Sequence, residues 1–231
     1  MRNIIQNRFI ALLLMLVLII SGCGKNEEPH ESVITEEKEE DKTWIKTDMG
    51  RFMVVPNMFV QDYPATKLSE DYTISEKGTL ITCLSMIDSY WSSETITPEV
   101  FIEKYDEFIN NDGTCDIDSI SNNFMNTQWV AYEKMTFNPE TMSELISTCE
   151  ATILLEIPHS SIYGKGKAYL VITGISDNGY AAVRDPNKWN VDNLAYKYKS
   201  TNGEYLYPLC DILSAAGNES IMYVYRWEYN E

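Results

Sequence analysis

The order of apolar patterns along this chain predicts an α+β domain, with helices first and an antiparallel sheet after them. Two observations carry the prediction. Between Thr79 and Ile146, apolar residues recur at helical spacing, twice behind a start signal that ends in proline. From Ala151 onward they fall into short strand-length runs, and Asp177-Asn178-Gly179 between two of these runs is a hairpin turn sequence.

The chain opens with Arg2 and Arg8, then a continuously apolar run from Phe9 to Ile20, then Ser21-Gly22-Cys23. A bilayer span needs about 20 apolar residues, so this run is too short to be one. Positive charge, an apolar core and two small residues before a cysteine predict an export signal over residues 1–22 that ends in a lipobox-like sequence. Cys23 would then be lipidated and become the mature N-terminus, anchored to the extracytoplasmic face of the cell membrane. An ordinary signal peptide followed by a chance cysteine is the alternative. Residues 23–50 read as the lipidated cysteine and an acidic tether, because Gly24 to Asp41 has too few apolar residues to offset its chain entropy. His30 lies in that stretch and reads as a solvated linker residue.

Residues 51–231 are expected to form one domain with one core. Arg51 to Pro56 reads as an entry strand. Thr79 to Trp91 reads as a helix, since Leu80, Leu84, Ile87 and Trp91 form one stripe. Thr97-Pro98-Glu99 and Asn138-Pro139-Glu140 each combine an N-cap residue with proline at the first helical position. The first would start a helix carrying Val100, Phe101, Tyr105 and Phe108, and the second one carrying Met142, Leu145 and Ile146. Phe137 and Met142 are spaced to staple the second start. Asp116 to Phe124 is a further helix candidate, with Ile117, Ile120 and Phe124 on one side. Strands are expected over Ala151 to Ile157, Tyr169 to Ile175, Tyr180 to Val183 and Ile221 to Tyr225. The pairs Tyr196 and Tyr198, and Tyr205 and Tyr207, alternate as strand residues do.

The formal net charge is −17, and the export signal carries only positive charge, so the mature chain is more acidic still. Nucleic acid is excluded as an expected partner, because phosphate binding needs a basic surface. Beyond Cys23 the cysteines are Cys83, Cys115, Cys149 and Cys210. Their spacing contains no CxxC pair, so no metal site is expected. Disulfides and free buried thiols both remain open, since an exported chain can oxidise its cysteines. The segment Asn110 to Asp118 is rich in oxygen ligands but lacks the EF-hand spacing and terminal Glu, and reads as a turn followed by an aspartate helix cap. No cofactor is expected.

The order of four motifs carries a resemblance. Gln61 sits in Val60-Gln61-Asp62-Tyr63-Pro64. Gly78-Thr79-Leu80-Ile81-Thr82-Cys83-Leu84-Ser85-Met86 opens the amphipathic helix. Lys167-Ala168-Tyr169-Leu170-Val171-Ile172-Thr173-Gly174-Ile175 forms a strand, and Val183-Arg184-Asp185-Pro186-Asn187 ends the next one. From about Val55 to Asn187 this resembles cysteine peptidase family thirty-nine, the bacteriocin-processing type with a papain-like fold. The resemblance implies that Gln61 matches the oxyanion-hole glutamine and Asp185 the acid that orients the catalytic histidine. Gly78 matches the glycine before the nucleophile. The nucleophile position falls on Thr79 and the histidine position on Ala168, so the thiol and the base are both replaced.

A thiolate attacks because its pKa lies near neutrality; a threonine hydroxyl beside an alanine has neither that state nor a base. Thr79 suits a helix N-cap, its hydroxyl accepting from a free first-turn amide. The expected protein is therefore a degenerate member that binds a peptide or protein partner in the former cleft, with the lipid on Cys23 as its membrane attachment. The alternative is an active cysteine peptidase or amide hydrolase using Cys83 or Thr79, with His159 as a relocated base. A structural or immunity-type surface protein with a filled cleft is a third reading.

Overall fold

The computed structural model describes residues 44–47, 50–125, 130–148, 151–158, 167–176, 179–193, 198–199 and 205–227. The export signal, Cys23, His30, Cys149, His159, Asp177, Asn178 and Tyr196 lie outside them. No helix among the described residues is long and apolar enough to cross a membrane.

The chain is α+β, with helices packing on an antiparallel sheet. A hairpin of β1 (Trp44–Thr47) and β2 (Gly50–Met53) comes first. Pairing thus begins at Trp44, before the expected tether boundary at residue 50, because Trp44 and Ile45 have partners in Met53 and Phe52. A 3-10 turn over Val60–Asp62 follows. Then come α1 (Ile74–Lys77), α2 (Thr79–Ser92), α3 (Pro98–Tyr105) and α4 (Ile117–Met125). Next are β3 (Val130–Thr136), α5 (Pro139–Ser147), β4 (Ala151–Ile157), β5 (Ala168–Ile175) and β6 (Tyr180–Arg184). The chain continues through α6 (Lys188–Asn193), β7 (Tyr198–Lys199), β8 (Tyr205–Pro208), α7 (Leu209–Ala216) and β9 (Ile221–Trp227).

The start signals work as local chemistry requires. The Thr97 side chain accepts from the Val100 N–H, and the Asn138 side chain from the Thr141 N–H, each satisfying an orphan donor of a first turn. Asp116 accepts from the Ser119 N–H at 3.1 Å and so caps α4. Gly179, at φ 84, takes the left-handed position that a β5–β6 hairpin turn needs.

The sheet runs in the order β3-β9-β4-β5-β6-β8-β7, with β2 attached to β5. The closing strand β9 does not lie at an edge but inserts between β3 and β4, pairing Tyr132 with Tyr225 and Ile153 with Val224. Both faces of the sheet are buried, by different helices. Leu154, Val171, Tyr223 and Tyr225 join Leu80, Leu84, Ile87 and Trp91 of α2 in one core cluster. Ile153, Leu155, Leu170 and Ile172 join Met142 and Ile146 of α5 and Leu209 and Ile212 of α7 in a second. Phe137 packs against the second cluster, of which Met142 is a member. The sheet direction is pinned to α2 by the Trp91 Nε1–H, which donates to Thr152 Oγ1 at 2.9 Å.

Candidate functional site

Three segments meet at one end of the sheet. The first runs from β2 to the 3-10 turn. Arg184, at the end of β6 and only 1% exposed, donates from Nε to the Val55 carbonyl at 2.6 Å. The Val60 N–H donates to the Pro186 carbonyl at 2.8 Å. These bonds hold Gln61 against the second segment, the loop after β6. There Gln61 Nε2 donates to Asn187 Oδ1 at 2.9 Å, and Gln61 Oε1 accepts from the Lys188 N–H at 2.9 Å. Both ends of the amide are therefore clamped to one loop.

That loop is organised by Asp185. Its carboxylate is 2% exposed and accepts from the Asn187 N–H at 2.8 Å, from Asn190 Nδ2 at 3.1 Å and from the Tyr207 hydroxyl at 3.0 Å. Burial raises its pKa to about 6, against the lowering by the Asn187 N–H, Asn190 and Tyr207. The Asp-Pro step ends β6, and Asp185 then binds its own backbone two residues on, the usual behaviour of aspartate at a turn.

The third segment is the junction of α1 and α2. Thr73 and Glu76 form a capping box at α1, the Thr73 N–H donating to Glu76 Oε2 at 2.8 Å. The Gly78 N–H then bonds the Ile74 carbonyl at 2.7 Å, and a Cβ at Gly78 would lie 2.5 Å from that oxygen. Close approach therefore demands glycine here. The expectation that Thr79 caps the helix is corrected. Thr79 is the first helical residue, Gly78 takes the cap position, and no side chain caps α2. Because α1 leads directly into α2, the threonine sits one position too late to have cap geometry.

Ala168 is the first residue of β5 and pairs with Ile157. It packs against the second core cluster, on the side of β5 shared with Leu170 and Ile172, while Tyr169 and Val171 pack with α2. The pairing of Val171 with Arg184 sets the start of β5 beside the Asp185 loop. Of the four positions singled out in the sequence, Gln61 and Asp185 are thus joined through Asn187. Among the described residues no hydrogen bond joins Thr79 or Ala168 to either.

Cys83, on α2, is buried in the first core cluster at 0% exposure, and burial first, then the Asp185 charge, push its thiol pKa well above the ordinary value. Burial and Asp116 raise Cys115 to about 12. Cys83 and Cys115 are free thiols. No three His, Cys, Asp or Glu side chains are grouped to hold a metal among the described residues. In the segment Asn110 to Asp118, Asp112 Oδ1 accepts from the Thr114 N–H at 2.9 Å, and Gly113 has φ 80, so it is a turn.

Sequence reasoning missed the residues that hold the site together. Arg184 and Asn187 lay within the recognised motif Val183 to Asn187, and Tyr207 in an alternating pair, but none showed its role. Asn190 and Trp189 gave no signal, although Trp189 is 62% exposed next to the Gln61 clamp.

No family model matches the chain, and no curated protein matches it. Among solved structures, a double glycine motif protease from an AMS/PCAT transporter, crystallised in complex with the leader peptide, is similar at 15% identity and a TM-score of 0.42. The match covers 74% of this chain and 91% of that one.

Proposed function

We propose that this is a lipid-anchored extracytoplasmic protein whose papain-like, family-thirty-nine-like domain binds a peptide or protein partner without hydrolysing it. One observation carries the reading. The acid that would orient a catalytic imidazole is fully engaged by a peptide N–H, an amide and a phenol, and Asp185 has a structural task that needs no histidine. The motif order in the sequence supports the papain-like frame, and the lipobox-like Ile20-Ser21-Gly22-Cys23 supports the anchor. The rearranged hydrolase is disfavoured by Cys83, since a thiol at 0% exposure with a raised pKa is neither ionised nor within reach of a substrate. The chain has two histidines, His30 and His159, both outside the described residues.

The test is retention without cleavage. The full chain in detergent is incubated with a synthetic pool of random peptides, and bound and free fractions are read by mass spectrometry. Intact peptides are expected in the bound fraction, and Trp189→Ala, which removes the large exposed aromatic beside the Gln61 clamp, is expected to lower their retention by about tenfold. Shortened peptides would mark a working hydrolase. A bound fraction without peptides would favour the structural reading.

A further inference from the structure

We infer that Glu156, Tyr169 and Tyr223 form a cation-binding subsite that takes a lysine side chain of the bound peptide, and that the chain's own Lys167 fills this subsite until a peptide displaces it. The inference rests on the reading that the domain binds a peptide, and it names that peptide's chemistry. Glu156 lies two residues after Leu154 in β4, so the two side chains share the sheet face that α2 covers. Its cross-strand partner is Tyr169, which follows Ala168 in β5, and Tyr169 and Tyr223 both pack in the core under α2. The Tyr223 hydroxyl donates to Glu156 Oε2 at 2.9 Å, and Lys167 Nζ lies 2.6 Å from Glu156 Oε1. The same ammonium stands 5.9 Å from the centroid of the Tyr169 ring.

Burial makes the carboxylate dependent on a cation. The Glu156 side chain is 10% exposed, whereas that of Lys167 is 51% exposed. A buried carboxylate cannot recover its hydration in place, and a phenol donor offsets only part of the loss, so a positive charge must stay beside it. Lys167 supplies that charge from the solvent side, and its long stem lets the ammonium swing back into water. Exchanging one ammonium for another therefore preserves the buried pair, and the remaining contacts of the incoming peptide are net gain. Burial first, then the hydrogen bond to Glu156, raise the Tyr223 pKa, so this phenol keeps its proton and goes on donating whichever ammonium is bound.

The chain displays the recognition chemistry twice. Asp118 accepts from the Tyr132 hydroxyl and pairs with Lys134 at 2.9 Å, and Lys134 Nζ lies 5.4 Å from the centroid of the Tyr223 ring. Each arrangement combines a carboxylate, a phenol, an ammonium and the face of a tyrosine ring, whose quadrupole attracts a cation. They differ in burial. The Asp118 side chain is 48% exposed and can fall back on water, so of the two only Glu156 holds a cation by necessity. Both occupants are primary ammonium groups, which selects lysine as the ligand side chain. The formal net charge of −17 adds long-range attraction for a basic peptide.

The experiment measures retention on the full chain in detergent of three peptide pools, read by mass spectrometry. Their central residue is lysine, norleucine or glutamate, their other positions are random uncharged residues, and both termini are blocked, so the central side chain carries the sole charge. The lysine pool is expected to be retained about tenfold better than the norleucine pool, and the glutamate pool least. Lys167→Met removes the internal competitor and is expected to raise retention of the lysine pool severalfold while leaving the norleucine pool unchanged. Glu156→Gln is expected to erase the preference for lysine. The Lys167 substitution is at an exposed residue and decides the matter should Glu156→Gln not fold. Equal retention of the lysine and norleucine pools would overturn the subsite and leave the peptide-binding reading in place; retention of no pool would overturn both. A lysine preference that survives Glu156→Gln, or that Lys167→Met fails to strengthen, would place the cation elsewhere and overturn the subsite.

Discussion

Leu154→Ala and Leu155→Ala are each expected to lower the unfolding free energy by about 2–5 kcal/mol, the range for deleting a buried leucine side chain. Adjacent residues of a strand point to opposite faces, so in a sheet with one wet face one of the two substitutions would be nearly silent. Here both are 0% exposed. Leu154 packs in the cluster under α2, and Leu155 in the cluster under α5 and α7. Chemical denaturation of the two variants checks this. Equal large losses are expected; a loss below about 1 kcal/mol for Leu155→Ala would mean that the second helical layer does not cover the sheet.

The thiol of Cys83 is expected to react with iodoacetamide only through global unfolding. Native alkylation should be about a thousandfold or more slower than in denaturant, because unfolded chains are that rare under native conditions. Two features set the expectation: 0% exposure on α2, and a pKa raised by burial and by the Asp185 charge. Mass spectrometry of the alkylated cysteines separates Cys83 from Cys115 and Cys210. Native labelling of Cys83 at a rate near that of a free thiol would contradict the packing of α2 and revive the rearranged hydrolase.

Helix starts were legible in the sequence because capping is local. Thr97-Pro98 and Asn138-Pro139 each contain donor, acceptor and fixed φ within four residues, and both begin helices. Strand β3 escaped because Glu133, Lys134 and Thr136 are exposed on an edge strand, which blurs the alternation that marks a strand. Its partner is β9, far along the chain, and no local pattern encodes that pairing or the insertion of β9 between β3 and β4. Helix α7 follows Pro208 without a side-chain cap, so it had no start signal to read. The site divides in the same way. Gln61 and Asp185 were visible through motif order, and Asp185 through its Asp-Pro turn. The donors that decide what Asp185 can do, Tyr207 on β8 and Asn190 on α6, reach it only through tertiary folding.

The proposal is that the thiol and base positions of a papain-like frame fall here on Thr79 and Ala168. It is tested most directly by restoring both, with Thr79→Cys and Ala168→His in one variant, and measuring alkylation by iodoacetamide against pH. The restored thiol is expected to react at about pH 6 much faster than a free thiol of pKa about 8.5, while the wild type stays inert. A restored thiol that titrates like a free one, or a wild type that already carries an activated thiol, would contradict the claim.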